Sequence, residues 1–367
     1  MRRRNPLTRL WHRSQVCATS LTLAALLVAQ AAPYAQAPQV AKPDDAKTSP
    51  LTQILPLMPE MRAGTLENGL RYYIRENRRP EKRAELRLAV NAGSIVEDDD
   101  QRGLAHVVEH MAFNGTEHFP KQKLVEFMES IGMRFGPELN ASTSFDETIY
   151  MLRIPTDNPQ AMPTAFQILE DWAHGLAFDP REIDKERGVV IEEWRLGQGA
   201  GARMRDKQFP IVFQGSRYAD RLPIGRKDTL ETFAHDTLER FYRDWYHPDL
   251  MAVVAVGDFN TADVEALIRK HFARLPRPRT ARAREAYGVP DHPGTRFAIA
   301  TDKEMTATTV GLYQKLPVED ETTVGAYRRS IVEALYNGML NSRFSELAQK
   351  PDPPFIGAFS SEGRLVR

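Results

Sequence analysis

The segment Gly103–Met111 (GLAHVVEHM) constrains the fold of this chain most, because it places three reactive side chains on an otherwise apolar helix. A helix repeats every 3.6 residues, so His106 and His110 project from one face about one turn apart. That spacing lets both imidazoles reach one zinc ion at about 2.0–2.1 Å. Glu109, at the edge of the same face, can take a proton from zinc-bound water. The motif predicts a zinc site, and a pair of satisfied histidines is the alternative.

A third protein ligand is expected, because catalytic zinc usually has three together with a water molecule. The helix predicted over 180–194 offers Glu186 and Glu193, which are seven residues apart and therefore two turns apart on one face. Glu192 is turned about 100° away from them. Spacing predicts that one of the two binds the metal and the other supports it. It leaves open which one, and a solvated helix face is the alternative for each.

The N-terminus has the pattern of an export signal. Its first fifteen residues contain basic side chains and no acid, an apolar run follows over about 16–32, and Ala35-Gln36-Ala37 comes next. This predicts a signal peptide over 1–37 and a periplasmic or secreted protein without membrane attachment after cleavage; an uncleaved anchor is the alternative. The single cysteine, Cys17, lies inside this segment, so the remaining chain cannot use a thiolate zinc ligand.

The rest of the sequence predicts several consecutive regions. Lys and Arg (49) balance Asp and Glu (49), which argues against a nucleic-acid partner. The acidic turn 97–100 is well placed to cap a helix over about 102–113. We expect a flexible lead-in over 38–56, a catalytic domain over 57–273, a linker over 274–294 and an incomplete second, non-catalytic domain over 295–367. The predicted strands cover 70–74, 84–90, 148–154, 251–257, 296–299 and 308–313, and further helices cover 121–131, 163–177, 180–194, 238–245 and 327–347.

Three ordered motifs, HVVEHMAFNGTEHFP, LNASTSFDETIY and ERGVVIEEW, resemble the pitrilysin, or insulinase, family of zinc metallopeptidases. Within that family the chain looks most like exported bacterial members, and the resemblance covers about residues 57–260. It implies an α+β fold, in which a mixed or antiparallel sheet packs with helices and a truncated second domain of similar fold follows. It also implies that Glu193 is the zinc ligand and Glu186 the supporting carboxylate of the catalytic site.

The resemblance further implies how substrate binds. Asn140 and Ala141 would lie on an edge strand to which a peptide adds as a further strand. Phe113 matches a family position near the scissile bond, although an aromatic at this helix spacing is more often a core residue, and the core is slightly favoured. The other histidines that follow residue 110 lie in no ligand spacing and are expected at the surface or at helix caps.

The expected function is that of a zinc-dependent endopeptidase with one zinc ion per chain. It would hydrolyse peptides or unfolded polypeptide segments through zinc-bound water, with Glu109 as general base. The alternatives are a non-catalytic scaffold or partner subunit of the same fold, an inactive fragment that needs a complementary half, or a metal enzyme of other chemistry. A complementary second half or another copy of the chain is the expected protein partner.

Overall fold

The computed structural model describes residues 50–121, 123–134, 136–278, 280–318, 321–364 and 366. The predicted signal peptide and the lead-in up to residue 49 lie outside them. The described chain forms two compact units, one comprising 58–315 with residue 366 and the other comprising 50–57 with 316–364. No helix in these ranges is long and apolar enough to cross a lipid bilayer.

A six-stranded sheet forms the centre of the first unit. Its strands, in chain order, are β1 (Met61–Thr65), β2 (Arg71–Glu76), β3 (Arg83–Val90), β4 (Leu139–Thr143), β5 (Thr148–Pro155) and β6 (Met251–Gly257). Their spatial order is β1-β2-β6-β3-β5-β4. Only the β2–β6 pair is parallel and the other pairs are antiparallel, so the sheet is mixed.

The alternation of side chains along the central strands explains how the sheet is buried. Successive residues of a strand point to opposite faces, and every second residue of β3 and β6 is fully covered, including Leu86, Leu88 and Val253. β4 and β1 form the two edges. The strand that the family resemblance predicts as a substrate-binding edge is therefore an edge strand of this sheet.

Nine α-helices are present in the described residues. They are α1 (Leu104–Met111), α2 (Lys123–Ser130), α3 (Ala161–His174), α4 (Pro180–Leu196), α5 (Ala200–Val212), α6 (Lys227–Thr232), α7 (His235–Trp245), α8 (Thr261–Phe272) and α9 (Val324–Ala348). All eight residues of α1 are buried. This helix contacts α4, α7 and the edge strand β4. The motif with His106, Glu109 and His110 therefore lies between a second helix and the sheet edge.

These elements confirm the predicted fold class, a mixed sheet packed with helices. The two strands predicted at 296–299 and 308–313 were wrong, since no strand forms within 280–318 of the described chain. Phe297 and Ile299 are largely exposed there, as are Val310 and Leu312. A run with strand composition needs a neighbouring strand to supply its hydrogen bonds, and the described residues provide none beside it.

The second unit is built around α9, which begins at an N-cap. The Thr323 side chain accepts a hydrogen bond from the backbone N–H of Ala326 at 3.2 Å, which satisfies one donor of the first helical turn. The helix covers the predicted range 327–347 and starts three residues earlier. Several of its apolar side chains are exposed, among them Leu335 and Met339.

Candidate active site

The helix α1 is fixed at its start by a buried carboxylate. Both Glu97 oxygens accept from the backbone N–H of Gly103 at 3.0 Å, and one also accepts from Ala105 at 2.9 Å. The acidic turn predicted from sequence therefore caps this helix through Glu97. Burial raises the pKa of Glu97 to about 8, although the backbone donors of Ala105 and Gly103 act in the opposite direction.

Two glycines allow the loop before α6 to approach the start of α1. Gly103 has a φ of +103°, a conformation that favours glycine, and a Cβ added to it would lie 2.9 Å from Gly225 Cα. A Cβ on Gly225 would lie 2.3 Å from Gly103 Cα. Side chains at either position would force this backbone contact apart and shift the helix that carries the site.

The side chains of His106, His110 and Glu193 converge at the C-terminal half of α4. The two histidine Nε2 atoms are 3.3 Å apart. Glu193 Oε2 lies 3.5 Å from His110 Nε2, and Glu193 Oε1 lies 3.9 Å from His106 Nε2. Among the described residues this is the only group of three or more His, Cys, Asp or Glu side chains close enough to hold a metal ion.

The donor set and its spacing fit zinc. Two imidazole nitrogens and one carboxylate oxygen are a ligand set of catalytic zinc sites, and tetrahedral bonds of about 2.0–2.1 Å place neighbouring ligand atoms about 3.3 Å apart. The two imidazole Nε2 atoms are 3.3 Å apart, and the Glu193 carboxylate places one oxygen 3.5 Å from His110 and the other 3.9 Å from His106. Only small side-chain adjustments would close this triangle on an ion.

Glu186 lies behind this triangle and contacts one of its members. Its Oε2 is 3.1 Å from His110 Nδ1, and its carboxylate is buried. A carboxylate in this position fixes the orientation of a metal-binding imidazole. Of the two glutamates that spacing left undecided, Glu193 is thus the one that faces both histidines.

The two histidines have pKa values shifted in opposite directions. Burial lowers the pKa of His106 to about 4, and the nearby charge of His110 adds to that effect. For His110, burial also lowers the pKa, but hydrogen bonds to Glu186 and Glu193 outweigh it and raise the pKa to about 9. In the metal-free site, one proton is therefore held on His110 near neutral pH.

Glu109 is almost completely buried, at 1% exposure. Burial raises its pKa to about 7, while the charge of His110 and a hydrogen bond from Thr143 lower it. The hydroxyl of Thr143 donates to Glu109 Oε2 at 2.5 Å. Sequence reasoning did not single out Thr143, which the sheet edge brings to the helix from far along the chain.

The residues predicted to bind substrate lie in two different environments. Asn140 and Ala141 belong to β4, which pairs on one side with β5. Phe113 is 3% exposed, and its ring packs edge-on against Trp172 with 5.5 Å between centroids. The placement of Phe113 corresponds to its core alternative, because a ring in that contact presents little surface to a bound peptide.

The prediction of surface or capping positions was wrong for His271, whereas His247 occupies a cap position, as the N-cap residue of the short 3₁₀ helix Pro248–Leu250. His247 and His271 are buried, at 3% and 5% exposure. Each has a ring nitrogen bonded to a carboxylate, Asp249 for the first and Glu170 for the second. A hydrogen bond to a neighbouring carboxylate satisfies the polar ring and so allows its burial. The sequence around each histidine does not indicate this partner.

Family models match most of the described chain. The model described as Insulinase (Peptidase family M16) matches residues 72–198, which include all of the site residues above. A model described as Peptidase M16 inactive domain matches residues 232–348. The second match spans the last strand of the sheet and all of α9.

Relatives and solved structures agree with these matches. The chain is 41% identical over 304 residues to "Zinc protease PQQL-like" from Arabidopsis thaliana, covering 83% of this chain and 32% of that protein. It is 36% identical over 293 residues to "Probable zinc protease PqqL" from Escherichia coli, covering 79% of this chain and 31% of that protein. The crystal structure of the first half of the periplasmic protease PqqL from Escherichia coli superposes with a TM-score of 0.73 at 34% identity, covering 81% and 63% of the two chains.

The chain spans about a third of the length of these curated relatives. Within that span, the two family models follow one another in order, and the fold is that of a solved relative. The resemblance expected from the three sequence motifs is thereby confirmed, and the chain belongs to the insulinase family of peptidases, family M16.

Proposed function

We propose that this chain is a zinc-dependent endopeptidase, with His106, His110 and Glu193 as metal ligands. The observation that carries the proposal is the convergence of two imidazole Nε2 atoms of α1, 3.3 Å apart, with the Glu193 carboxylate of α4, whose two oxygens lie 3.5 and 3.9 Å from them. The helix α1 also carries the buried carboxylate of Glu109. Curated relatives named zinc proteases support the same chemistry.

Each residue has a separate part in the proposed reaction. Zinc bound by the triangle would polarise the peptide carbonyl and lower the pKa of a water molecule. Glu109 accepts a proton from the attacking water and then donates it to the leaving amide nitrogen. A carboxylate whose pKa is raised to about 7 is suited to both transfers near neutral pH. Glu186 keeps His110 oriented from behind through the contact with Nδ1.

The substrate class follows from the edge strand. β4 has one hydrogen-bonded neighbour, β5, so its other side can accept a peptide as an added strand through backbone bonds. Backbone pairing makes few sequence demands but requires an extended segment. We therefore propose that peptides and unfolded polypeptide segments bind along Asn140 and Ala141.

Export and a complementary half also belong to this proposal. One solved relative carries the name periplasmic protease, and the basic and apolar N-terminal pattern fits the same location. The relatives are about three times longer than the matched span. We propose that turnover by this chain is assisted by a complementary half, on the same polypeptide or supplied separately.

The decisive experiment is a comparison of the wild-type chain with Glu109→Gln. Zinc content should stay near one ion per chain in both, while cleavage of an unfolded polypeptide should fall by at least about 100-fold in the variant, since the proton acceptor is lost. Glu117→Gln, an exposed acid in the loop after α1, is the matched control. Full activity in Glu109→Gln would refute the assigned base, and a zinc-binding wild type without cleavage would favour the scaffold alternative.

A further inference from the structure

The side chain of Thr143 connects the sheet edge to the buried carboxylate of α1. Thr143 is the last residue of β4. Its hydroxyl donates to Glu109 Oε2 at 2.5 Å, and its backbone N–H lies close enough to lower the pKa of that carboxyl group. One residue of the edge strand thus holds the carboxylate through its hydroxyl.

The neighbouring strand β5 packs a second threonine against Thr143, although neither hydroxyl donates to the other, because each gives its one proton elsewhere. Thr148, directly opposite on β5, has its hydroxyl oxygen 3.5 Å from that of Thr143. The Thr148 hydroxyl is buried and donates to the backbone carbonyl of Ala92 at 2.9 Å. Because a β-branched side chain also has few allowed χ1 rotamers, Thr143 presents its hydroxyl in one direction.

The same short strand carries the proposed peptide-binding positions. Asn140 and Ala141 precede Thr143 by three and two residues within β4. A strand is nearly inextensible, so the position of its last residue is fixed by the position of the others. The same rigid strand therefore positions both a peptide paired with β4 and the carboxylate of Glu109.

We propose that Thr143 is a positioning residue, which orients Glu109 for proton transfer and aligns it with a peptide bound along β4. The inference rests on the proposed function, since it concerns the base of that reaction. In this role Thr143 acts through Glu109 and keeps its own proton. Its contribution is to restrict the carboxylate to one orientation, and misplacement of a reacting group by about 1 Å can cost about 100-fold in rate.

Kinetics of three variants test this role. Thr143→Val keeps the β-branched shape and removes the hydroxyl, so kcat should fall about 10- to 100-fold, with KM within about twofold and zinc content unchanged. Thr143→Ser restores the donor and should recover kcat to within about threefold of wild type. Thr65→Val is the matched control, because Thr65 is the exposed last residue of the opposite edge strand β1. Wild-type kcat in Thr143→Val, or a loss seen only in KM, would overturn the proposal.

A second measurement needs neither zinc nor activity. Unfolding of the metal-free wild type, Thr143→Val, Glu109→Ala and the double variant forms a double-mutant cycle. We expect the two substitutions to be coupled by at least about fivefold in the unfolding equilibrium constant. Additivity within about twofold would overturn the contact on which the inference rests. A wild type that fails to cleave would refute the proposed function alone, and the cycle would still decide whether Thr143 holds Glu109.

Discussion

Zinc affinity should depend on pH through His110, and Glu186→Gln should change that dependence. In the metal-free site, burial lowers the pKa of His110, but hydrogen bonds to Glu186 and Glu193 raise it to about 9. Zinc needs the neutral imidazole, so binding must release this proton. His106, with a pKa lowered to about 4, is already neutral and adds no such penalty.

The size of the effect on zinc affinity depends on how far the assay pH lies below the pKa of His110. Well below a pKa of about 9, apparent zinc affinity should fall about tenfold per pH unit, and by about 50-fold between pH 9, where half of the imidazole is already neutral, and pH 7. Loss of a carboxylate that orients a metal-binding histidine costs about 10- to 100-fold in metal affinity. Glu186→Gln also lowers the pKa of His110, which weakens proton competition at pH 7. The cost of this substitution should therefore be largest at about pH 9.5 and smaller at pH 7.

Competition titration against a chelator at about pH 6.5, 8 and 9.5 measures both effects. Glu193→Gln removes a proposed ligand, so it should cost more than Glu186→Gln at every pH. Glu192→Gln is the matched control, because Glu192 is 46% exposed and pairs with Arg195 on the outer face of α4. Zinc affinity that is constant across this range would refute the role of the His110 proton. A larger loss in Glu186→Gln would refute the choice of ligand.

Three further outcomes follow from burial in the first unit. Burial raises the pKa of Glu109 in the metal-free site to about 7, and the charge of a bound zinc ion would lower it. A base must be ionised, so kcat/KM should fall as the pH is lowered below 7; a profile unchanged down to pH 4.5 would contradict the assignment. Burial likewise raises the pKa of Glu97 from 4.5 to about 8, so its contribution to stability is complete below pH 4.5 and is lost as pH rises through 8. Glu97→Gln loses one acceptor of the backbone N–H groups at every pH, but it should remove up to about 5 kcal/mol of the stability that the metal-free chain loses between pH 4.5 and pH 8.5. An unchanged pH dependence of the urea midpoint in the variant would argue against the shift. Trp172→Ala should cost about 3–5 kcal/mol, since Trp172 is fully buried and donates to the Ala112 carbonyl; a loss below 1 kcal/mol in urea unfolding would contradict this packing.

Elements with strong local signals were predictable from the sequence. The helix α4 begins at Pro180 as predicted, because Asp179 caps it by accepting from the backbone N–H of Arg181 at 2.8 Å. β6 matches its predicted range, since a continuous apolar run between polar turns suits a buried strand. The i, i+4 spacing of the two histidines likewise follows from the geometry of one helix.

Features that depend on distant partners were not predictable in the same way. β1 was missed because Met61–Thr65 is mostly exposed and shows no clear alternation. The segments 296–299 and 308–313 have the composition of strands, but no strand of the described chain lies beside them to pair with. Thr143 acts on Glu109 across 34 positions of the chain, and no local pattern marks a hydroxyl that must reach another element. The choice of Glu193 over Glu186 needed the family resemblance, because both lie on one face of α4.

The position of β6 in the sheet determines when the sheet can be completed during synthesis of the chain. β6 separates β2 from β3, yet it is translated after every residue of the proposed metal site. Until residues 251–257 emerge, β2 has only β1 as a native neighbour and β3 has only β5, so the two halves of the sheet are not joined. Such long-range pairing is slow to form. A nascent chain therefore carries its histidines and glutamates on an open, incomplete scaffold. The packing that brings the proposed metal ligands together would therefore be complete only after most of the first unit has been made.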